Sequence, residues 1–411
     1  MHMQKRIVVA GIGVAGAQVV KGVDRQLKHH TDYELTVVDS LNYSTFAPLL
    51  HEAATGVVCV AHVTHPARNI VAKPHHHFRQ TRITGLDRQG KVLKTETGDV
   101  PYDILILALG ARSNDFNVPG VKQYAFPIKV MEDAVRLRRR MIDTAEQAAA
   151  LPDGKRDALL HYVVVGGGYT GVELAGQLAD WFRYDVRRLY PEIKPEDVSI
   201  TLVHSGDRIL PMLSPKNSAV GMKRLERLGV KVKVGTQVTA VTAEGATLSD
   251  GTQITSQNVI WASGVLAVGD LFVEPAKLIK GRIPVKATLQ MVEDPNVFVV
   301  GDLAAVTEGN GPHPQTAQAA FEQAHLAARN VRHLFEGQPL EGFYYKHKGD
   351  LVPIGHGWAV AEVWGLRFHG RLAWWLRRAV YLRGFLTWFD RVRVIGDWAS
   401  RIIGPRDTSQ V

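Results

Sequence analysis

Two places in the chain carry residues of the type and spacing that grip a pyrophosphate. Gly11-x-Gly13-x-x-Gly16 follows the apolar run Ile7–Ala10, and Gly166-x-Gly168-x-x-Gly171 follows a second apolar run at 162–165. In such a loop the first glycine makes the tight turn and the second lets a pyrophosphate come close to the backbone. The third lets helix pack on strand, and the helix N-terminus then faces the phosphates. The first unit closes on "ELTVVD", where Asp39 can accept from ribose hydroxyls. The second closes on "VSITLVH", where His204 stands in that position with Ser205 and Arg208 close behind. Glu173 follows Gly171 by two residues, a position expected in the first helical turn, where the dipole favours an anion. One such loop is weak evidence. Two, 155 positions apart, each with strand, helix and closing strand, are specific. The simplest reading is one nucleotide as fixed cofactor and the other as substrate.

The elements around these loops follow from pattern. "YDILILALGARSN" reads as a buried parallel strand ending at Gly110, and "NVIWASGV" and "NVFVVGDLAA" as two more that end at glycine. A charged helix is expected over Glu132–Ala150 and another over "QTAQAAFEQAHLAARNVRHLF" after Pro314. Turn signals such as "SDGT" mark a β-rich stretch after the second unit. At 411 residues there is room for two or three domains, and 45% hydrophobic with 22% charged residues is ordinary for globular chains. The one cysteine, Cys59, excludes a disulfide framework and a dithiol redox pair, and is expected to be a buried small apolar group. The three consecutive histidines of "KPHHHF" cannot share one side of a strand or helix, so no metal site is expected. No secretory signal is expected, and no run of apolar residues is long enough to span a bilayer.

Taken together, the two nucleotide units with "ALG" at 108–110 and "VGD" at 300–302 resemble the two-dinucleotide-binding-domain flavoproteins. More specifically, "NYSTFAPLLHEAATG" (42–56), "WASGV" (261–265), "PQTAQAAFEQA" (314–324) and the tail from "GHGWAVAEVWGLRFHG" to "DWASR" resemble type II NADH dehydrogenases. The resemblance covers nearly the whole chain. It implies an α/β fold with two Rossmann-like, glutathione-reductase-like domains: FAD on 1–115 with 265–340, NAD(P)H on 116–264, and a C-terminal membrane-association region at 341–411. It implies FAD held by Gly11, Gly13, Gly16, Asp39, Gly110, Gly301 and Asp302, and NADH or NADPH held by Gly166, Gly168, Gly171, His204, Arg208 and Gly264. Glu173 would lie near nicotinamide and flavin, and Ala317 with Gln318 at the quinone end. The implied activity is hydride transfer from NAD(P)H to FAD and electron transfer to a membrane quinone, without proton pumping.

Two positions depart from the family pattern. Its second glutamine falls on Glu322, with Gln323 adjacent but turned about 100° around a helix. That carboxylate could relay protons or mark a different acceptor, such as a biosynthetic naphthoquinone. His204 replaces an acid that would repel a 2′-phosphate, so NADPH is expected to be used as well as NADH or better. A membrane protein that senses nucleotides without turnover is the remaining alternative.

The net charge of +9 is uneven: 365–411 holds nine arginines against three aspartates. From Phe385 to Ile403, helical spacing puts Phe385, Trp388, Phe389, Val392, Ile395, Ala399, Ile402 and Ile403 on one arc. Asp390, Arg393, Asp397 and Arg401 fall on the other, with i,i+4 pairs available from Arg393 to Asp397 and from Asp397 to Arg401. Such a helix suits a peripheral position on the cytoplasmic face of the cell membrane, aromatics inserted and arginines near headgroups. Docking on the enzyme's own core, or on a second copy as a homodimer, is the alternative. No nucleic-acid partner is expected, because the arginines are interleaved with an apolar face. A chain lacking 369–411 is expected to leave membranes yet still oxidise NAD(P)H with soluble acceptors.

Overall fold

A computed structural model describes residues 4–308, 313–404, 406, 408 and 409. The chain forms two compact units. One takes the chain up to Phe46, Thr64–Arg112 and Val265–His347; the other takes Ala47–Val63, Ser113–Gly264 and the chain from Lys348. This differs from the expected division in two respects. Ala47–Val63 belongs with the second nucleotide unit, and the C-terminal region is part of that unit rather than a separate appendage.

The first unit is built on an eight-stranded sheet. Its centre is the strand Lys5–Ala10, flanked in parallel by Tyr33–Asp39 and Ile104–Leu107. Asp294–Val299 and His76–Gln80 extend the parallel run outward. Ile7 to Ala10 and Ile104 to Leu107 are buried throughout, as expected for strands covered on both faces. The helix Val14–Gln26 packs along the helix Ala317–Glu336. Gly22 permits that approach, since a Cβ there would lie 2.6 Å from the Ala328 methyl.

The second unit repeats the theme with five parallel strands in the order Ala125–Pro127, Asn258–Trp261, His161–Val165, Ser199–Val203, Val230–Lys233. The helix Tyr169–Asp180 runs on from the glycine loop and continues through a π-helical turn at Trp181–Val186. An antiparallel meander, Gly349–Pro353, Ala359–Val363 and Leu366–Gly370, leads to two last helices, Arg371–Leu382 and Trp388–Ile403. The meander packs on the glycine-loop helix at Gly176, where a Cβ would lie 2.6 Å from the Gly355 nitrogen.

One sequence expectation changes here. Cys59 is exposed, because it stands just before the short helix Val60–Val63 and its backbone N–H donates to Asp397 Oδ2 at 2.9 Å. Of the three histidines, His77 stands apart, its Nε2 3.1 Å from Glu34 Oε1, whereas the His75 and His76 rings meet edge to face at 4.5 Å; His76 Nε2 lies 3.0 Å from Asp24 Oδ1 and His75 also meets the edge of Tyr33. Replacing Gly22 with valine forces the two helices of the first unit apart. The variant is expected to lose about 1–3 kcal/mol, read as a lowered thermal midpoint.

Candidate functional site

The two glycine loops have the same local geometry. Gly11 has φ +100° and Gly166 φ +118°, conformations that L side chains avoid. A Cβ on Gly16 would meet the Gly11 carbonyl oxygen at 1.9 Å, and one on Gly171 the Gly166 oxygen at 1.8 Å. By contrast, a Cβ on Gly13 or Gly168 would meet nothing within 4 Å. The middle glycine of each loop therefore faces open space where a phosphate could approach, and the third seals helix to strand.

In the first unit, Asp39 ties the end of its strand to the loop. Its Oδ2 accepts from Ile12 N at 2.7 Å and its Oδ1 from Leu41 N at 2.9 Å. Burial pushes its carboxyl up, and these backbone donors pull the other way. Gly301 has φ +73°, and its N–H donates to Gln323 Oε1 at 2.7 Å. Gln323 is thus the buried member of the pair 322/323, while Glu322 is half-buried. Asp302 lies in the same turn, its carbonyl accepting from Gln315 Nε2 at 3.0 Å. Thr316 caps the following helix through Ala319 N, which makes Ala317 its first residue. Gln318, one position on, has its Nε2 buried and without a protein partner among the described residues. Gly110 has φ +67° and open space beside it. Gly11, Gly13, Gly16, Asp39, Gly110, Gly301, Asp302, Ala317 and Gln318 all lie in this one unit. The open glycines and the orphaned amide fit an elongated polar ligand such as FAD.

In the second unit, the His204 ring lies against Gly167, where a Cβ would sit 2.6 Å from its Cγ, and its Nε2 approaches Gly206. Burial holds His204 below the ordinary histidine range, partly offset by Asp207, so the ring is neutral near neutral pH. Arg208 donates from Nη2 to the Pro211 carbonyl at 3.0 Å, and its Nη1 is buried with no partner among the described residues. Gly264 has φ +108° and stands against the Phe116 ring.

Glu173 is placed differently from the expectation. It is the fifth residue of its helix and lies beyond the first turn, so the dipole is not its main partner. It is buried in a cluster of charged groups. Its Oε1 is 3.4 Å from Arg377 Nη2 and its Oε2 is 3.3 Å from His51 Nδ1. Arg377, only 1% exposed, also donates from Nη1 to Glu52 Oε1 at 3.0 Å, and its guanidinium lies over the Tyr381 ring at 4.2 Å. Glu52 Oε2 accepts from Trp398 Nε1 at 2.8 Å. Burial pushes Glu173 up to about 7, opposed by Arg377 and reinforced by the Glu52 charge. Burial works in the same direction on Glu52, but Arg377, His51, Arg378 and the Trp398 N–H together hold it below the usual range. Burial, with Arg377 beside it, drives His51 down to about 3, so it is neutral.

The sequence pointed to Glu173 but not to His51, Glu52, Arg377, Tyr381 or Trp398. One signal was present: Arg377 falls off the polar side of its helix, which for a charged residue signals either strain or a buried partner.

The last helix turns its polar arc inward. Asp397 Oδ2 meets His62 Nδ1 at 2.8 Å, Arg401 Nη1 meets Asp185 Oδ1 at 3.1 Å, and Val394 and Trp398 are buried. The expected i,i+4 pairs are replaced by these tertiary ones, and Arg393 lies over Phe389 instead. The apolar arc faces out, with Trp388 at 75% exposure beside Phe389, Val392 and Ile395. Phe385 leaves this arc, being buried ahead of the helix. The side chains of Ile402 and Ile403 lie outside the described residues. Arg378 is buried between the Trp374 and Trp398 rings, 3.6 and 4.3 Å from their centroids. Much of the tail's positive charge is therefore spent inside its own unit. Nor can 369–411 be removed with the remainder intact, because Arg377 is the counter-charge of Glu52 and Glu173.

The model of the pyridine nucleotide-disulphide oxidoreductase family matches residues 5–324. With one cysteine, the chain has no intrachain disulfide to supply. The fold is that of a solved NDH2 from Plasmodium falciparum in complex with NADH, at TM-score 0.91 and 22% identity, covering 99% of this chain and 100% of that one. The type II NADH:quinone oxidoreductase of Staphylococcus saprophyticus is 31% identical over 386 residues, 92% of this chain and 95% of its own. The chain belongs to the type II NADH:quinone oxidoreductases. Ndh of Mycobacterium tuberculosis, another member, is 31% identical over 422 residues, 98% of this chain and 89% of its own. Single-subunit type II enzymes use one FAD and one pyridine nucleotide, which matches two glycine loops on two parallel sheets.

Because the folded pKa of Glu173 lies above its unfolded one, its contribution to stability is full at low pH and is lost as pH rises through about 7. Glu173→Gln is therefore expected to be more stable than the parent by about 2–3 kcal/mol near pH 8, with no gain near pH 4. Thermal midpoints at the two pH values check this.

Proposed function

We propose that this protein is an FAD-dependent NAD(P)H:quinone oxidoreductase that works at a membrane surface. The observation that carries the reading is the pair of glycine loops, each with an open middle glycine and a sealed third one, on separate parallel sheets. FAD, when bound, supplies two-electron chemistry, taking hydride from a reduced nicotinamide and giving electrons to a quinone. The protein's part is to bind, orient and control protons. Gly11, Gly13, Gly16, Asp39, Gly301 and Asp302 would hold the ADP and ribityl portions of the flavin. Gln318, with an unpaired buried amide, can donate to a polar group at the acceptor end. Gly166, Gly168 and Gly171 would take the pyrophosphate of the dinucleotide on the helix that also carries Glu173. Glu173, poised near neutrality, can hold or release a proton there. Mixing the purified yellow protein with NADH should bleach its flavin absorbance, and a short-chain quinone should restore it. A colourless polypeptide that takes up no FAD would sink the reading.

His204 is neutral and Arg208 has a free buried Nη1, a combination that tolerates a 2′-phosphate. NADPH is expected to support turnover with kcat/KM within about tenfold of NADH, and His204→Glu to shift that ratio toward NADH by at least about tenfold. A parent enzyme that already prefers NADH by more than about a hundredfold contradicts this.

The outward arc of Trp388, Phe389, Val392 and Ile395, with Leu372 and Trp375 exposed on the preceding helix, suits insertion into a lipid interface. No described helix is long and apolar enough to cross a membrane. Quinones dissolve in lipid, so this surface would bring the enzyme to its acceptor on the cytoplasmic face of the cell membrane. Trp388→Glu combined with Val392→Asp is expected to abolish sedimentation with phospholipid vesicles while NADH oxidation by a soluble quinone persists. If the double variant instead turns a dimer into a monomer and vesicle binding stays, the arc is a homodimer interface.

A further inference from the structure

The cluster around Arg377 holds two carboxylates but one guanidinium that touches both. Glu52 takes the shorter contact, 3.0 Å from Nη1, and Glu173 the longer, 3.4 Å from Nη2. Glu52 is also fixed from its other side by Trp398 Nε1 at 2.8 Å, so it cannot swing away from the arginine. The groups facing Glu173 are few. His51 and Glu52 come from the helix Leu50–Ala54, and Arg377 and Tyr381 from the helix Arg371–Leu382, whose Arg378 acts on Glu52 instead. Tyr169 sits one turn earlier on the helix of Glu173, and its hydroxyl is engaged with Asp350 of the meander. His51 is neutral, so Arg377 is the cation within contact of Glu173, and Glu52 competes for it.

We propose that Glu52 is a positioning residue that ties Arg377 down between two carboxylates, so that Glu173 receives a share of one counter-charge instead of the whole. This rests on the reading of Glu173 as the proton-holding group of the nucleotide site. A fork-shaped guanidinium can serve two acceptors at once, and its distribution between them is set by which acceptor is better anchored. Glu52 is anchored by the indole at 2.8 Å, whereas Glu173 has on its other side only the neutral His51 ring at 3.3 Å, so the better contact goes to Glu52. Glu173 is left buried and incompletely neutralised, which keeps its proton exchangeable near neutral pH. Without the Glu52 charge, Arg377 would belong to Glu173 alone, and Glu173 would become an ordinary, permanently ionised salt-bridge partner.

The test uses flavin-loaded full-length protein. The rate of NADH oxidation by a short-chain quinone is followed from about pH 5 to about pH 9 in the parent, Glu52→Gln, Glu52→Asp and Glu173→Gln. The parent is expected to show a break near neutrality that is absent in Glu173→Gln. Glu52→Gln should move the break down by about one pH unit, since it removes a like charge and frees the arginine. Glu52→Asp keeps the charge and should leave the break within about 0.3 unit of the parent. The same shifts are to be read without turnover, from the infrared band of the protonated Glu173 carboxyl, assigned by its loss in Glu173→Gln. An unmoved or rising break in Glu52→Gln, or an Asp variant that moves as far as the Gln variant, overturns the role of Glu52. A break that survives in Glu173→Gln overturns the assignment of Glu173 itself, and the positioning role with it. Should Glu52→Gln not fold, Trp398→Phe reads the same competition from the other side. Having lost its indole donor, Glu52 is less firmly anchored, Arg377 can turn toward Glu173, and the break should fall. A break that stays or rises there also overturns the proposal.

Discussion

A buried guanidinium shared by two carboxylates is the constraint on which the second unit depends. Arg377 comes from the helix Arg371–Leu382, Glu52 from the helix Leu50–Ala54 and Glu173 from the glycine-loop helix, so one ion cluster pins three segments that are far apart in sequence. Removing the shared guanidinium leaves uncompensated negative charge in a dry interior, which costs several kcal/mol. The arrangement is also selective. A guanidinium can meet two carboxylates and lie on a tyrosine ring at once, whereas an ammonium offers a single point of charge.

The same cluster explains how the last helix can be apolar on its outer side without falling loose. Ordinary amphipathic helices dock by their apolar stripe and show their charges to water. Here Asp397, Arg401 and Trp398 do the docking, through His62, Asp185 and Glu52, and the apolar stripe is left over. Directional polar contacts fix the helix, and the hydrophobic surface remains available for something outside the unit.

What could be read from sequence was what is encoded locally. The two glycine loops, their flanking strands and Asp39 were legible because turn, strand and helix N-terminus are specified within about thirty residues. The helix expected over Glu132–Ala150 is found at Met131–Ala149. The arcs of the last helix were also legible, except that Phe385 precedes it, but not which arc faces inward. That depends on Asp185 and His62, far away in the chain. Cys59 was misread for a related reason: its type suggests burial, yet its backbone is committed to Asp397 at the surface. Glu173 was found by its distance from Gly171, but the partners that set its charge were not. The adjoining pair Glu322 and Gln323 shows the limit of helical phase, which separates the two side chains but does not say which one meets Gly301.

Glu52 and Arg377 are separated by 325 positions. During synthesis the carboxylate emerges early and its cation only after most of the chain has been made. Until then the segment Ala47–Val63 cannot be buried without stranding a negative charge, so it stays wet and the second nucleotide unit stays open. The closing of that unit is thus tied to the arrival of the last two helices, and a polypeptide cut short before Arg371 keeps the fault exposed, where cellular quality control can act on it.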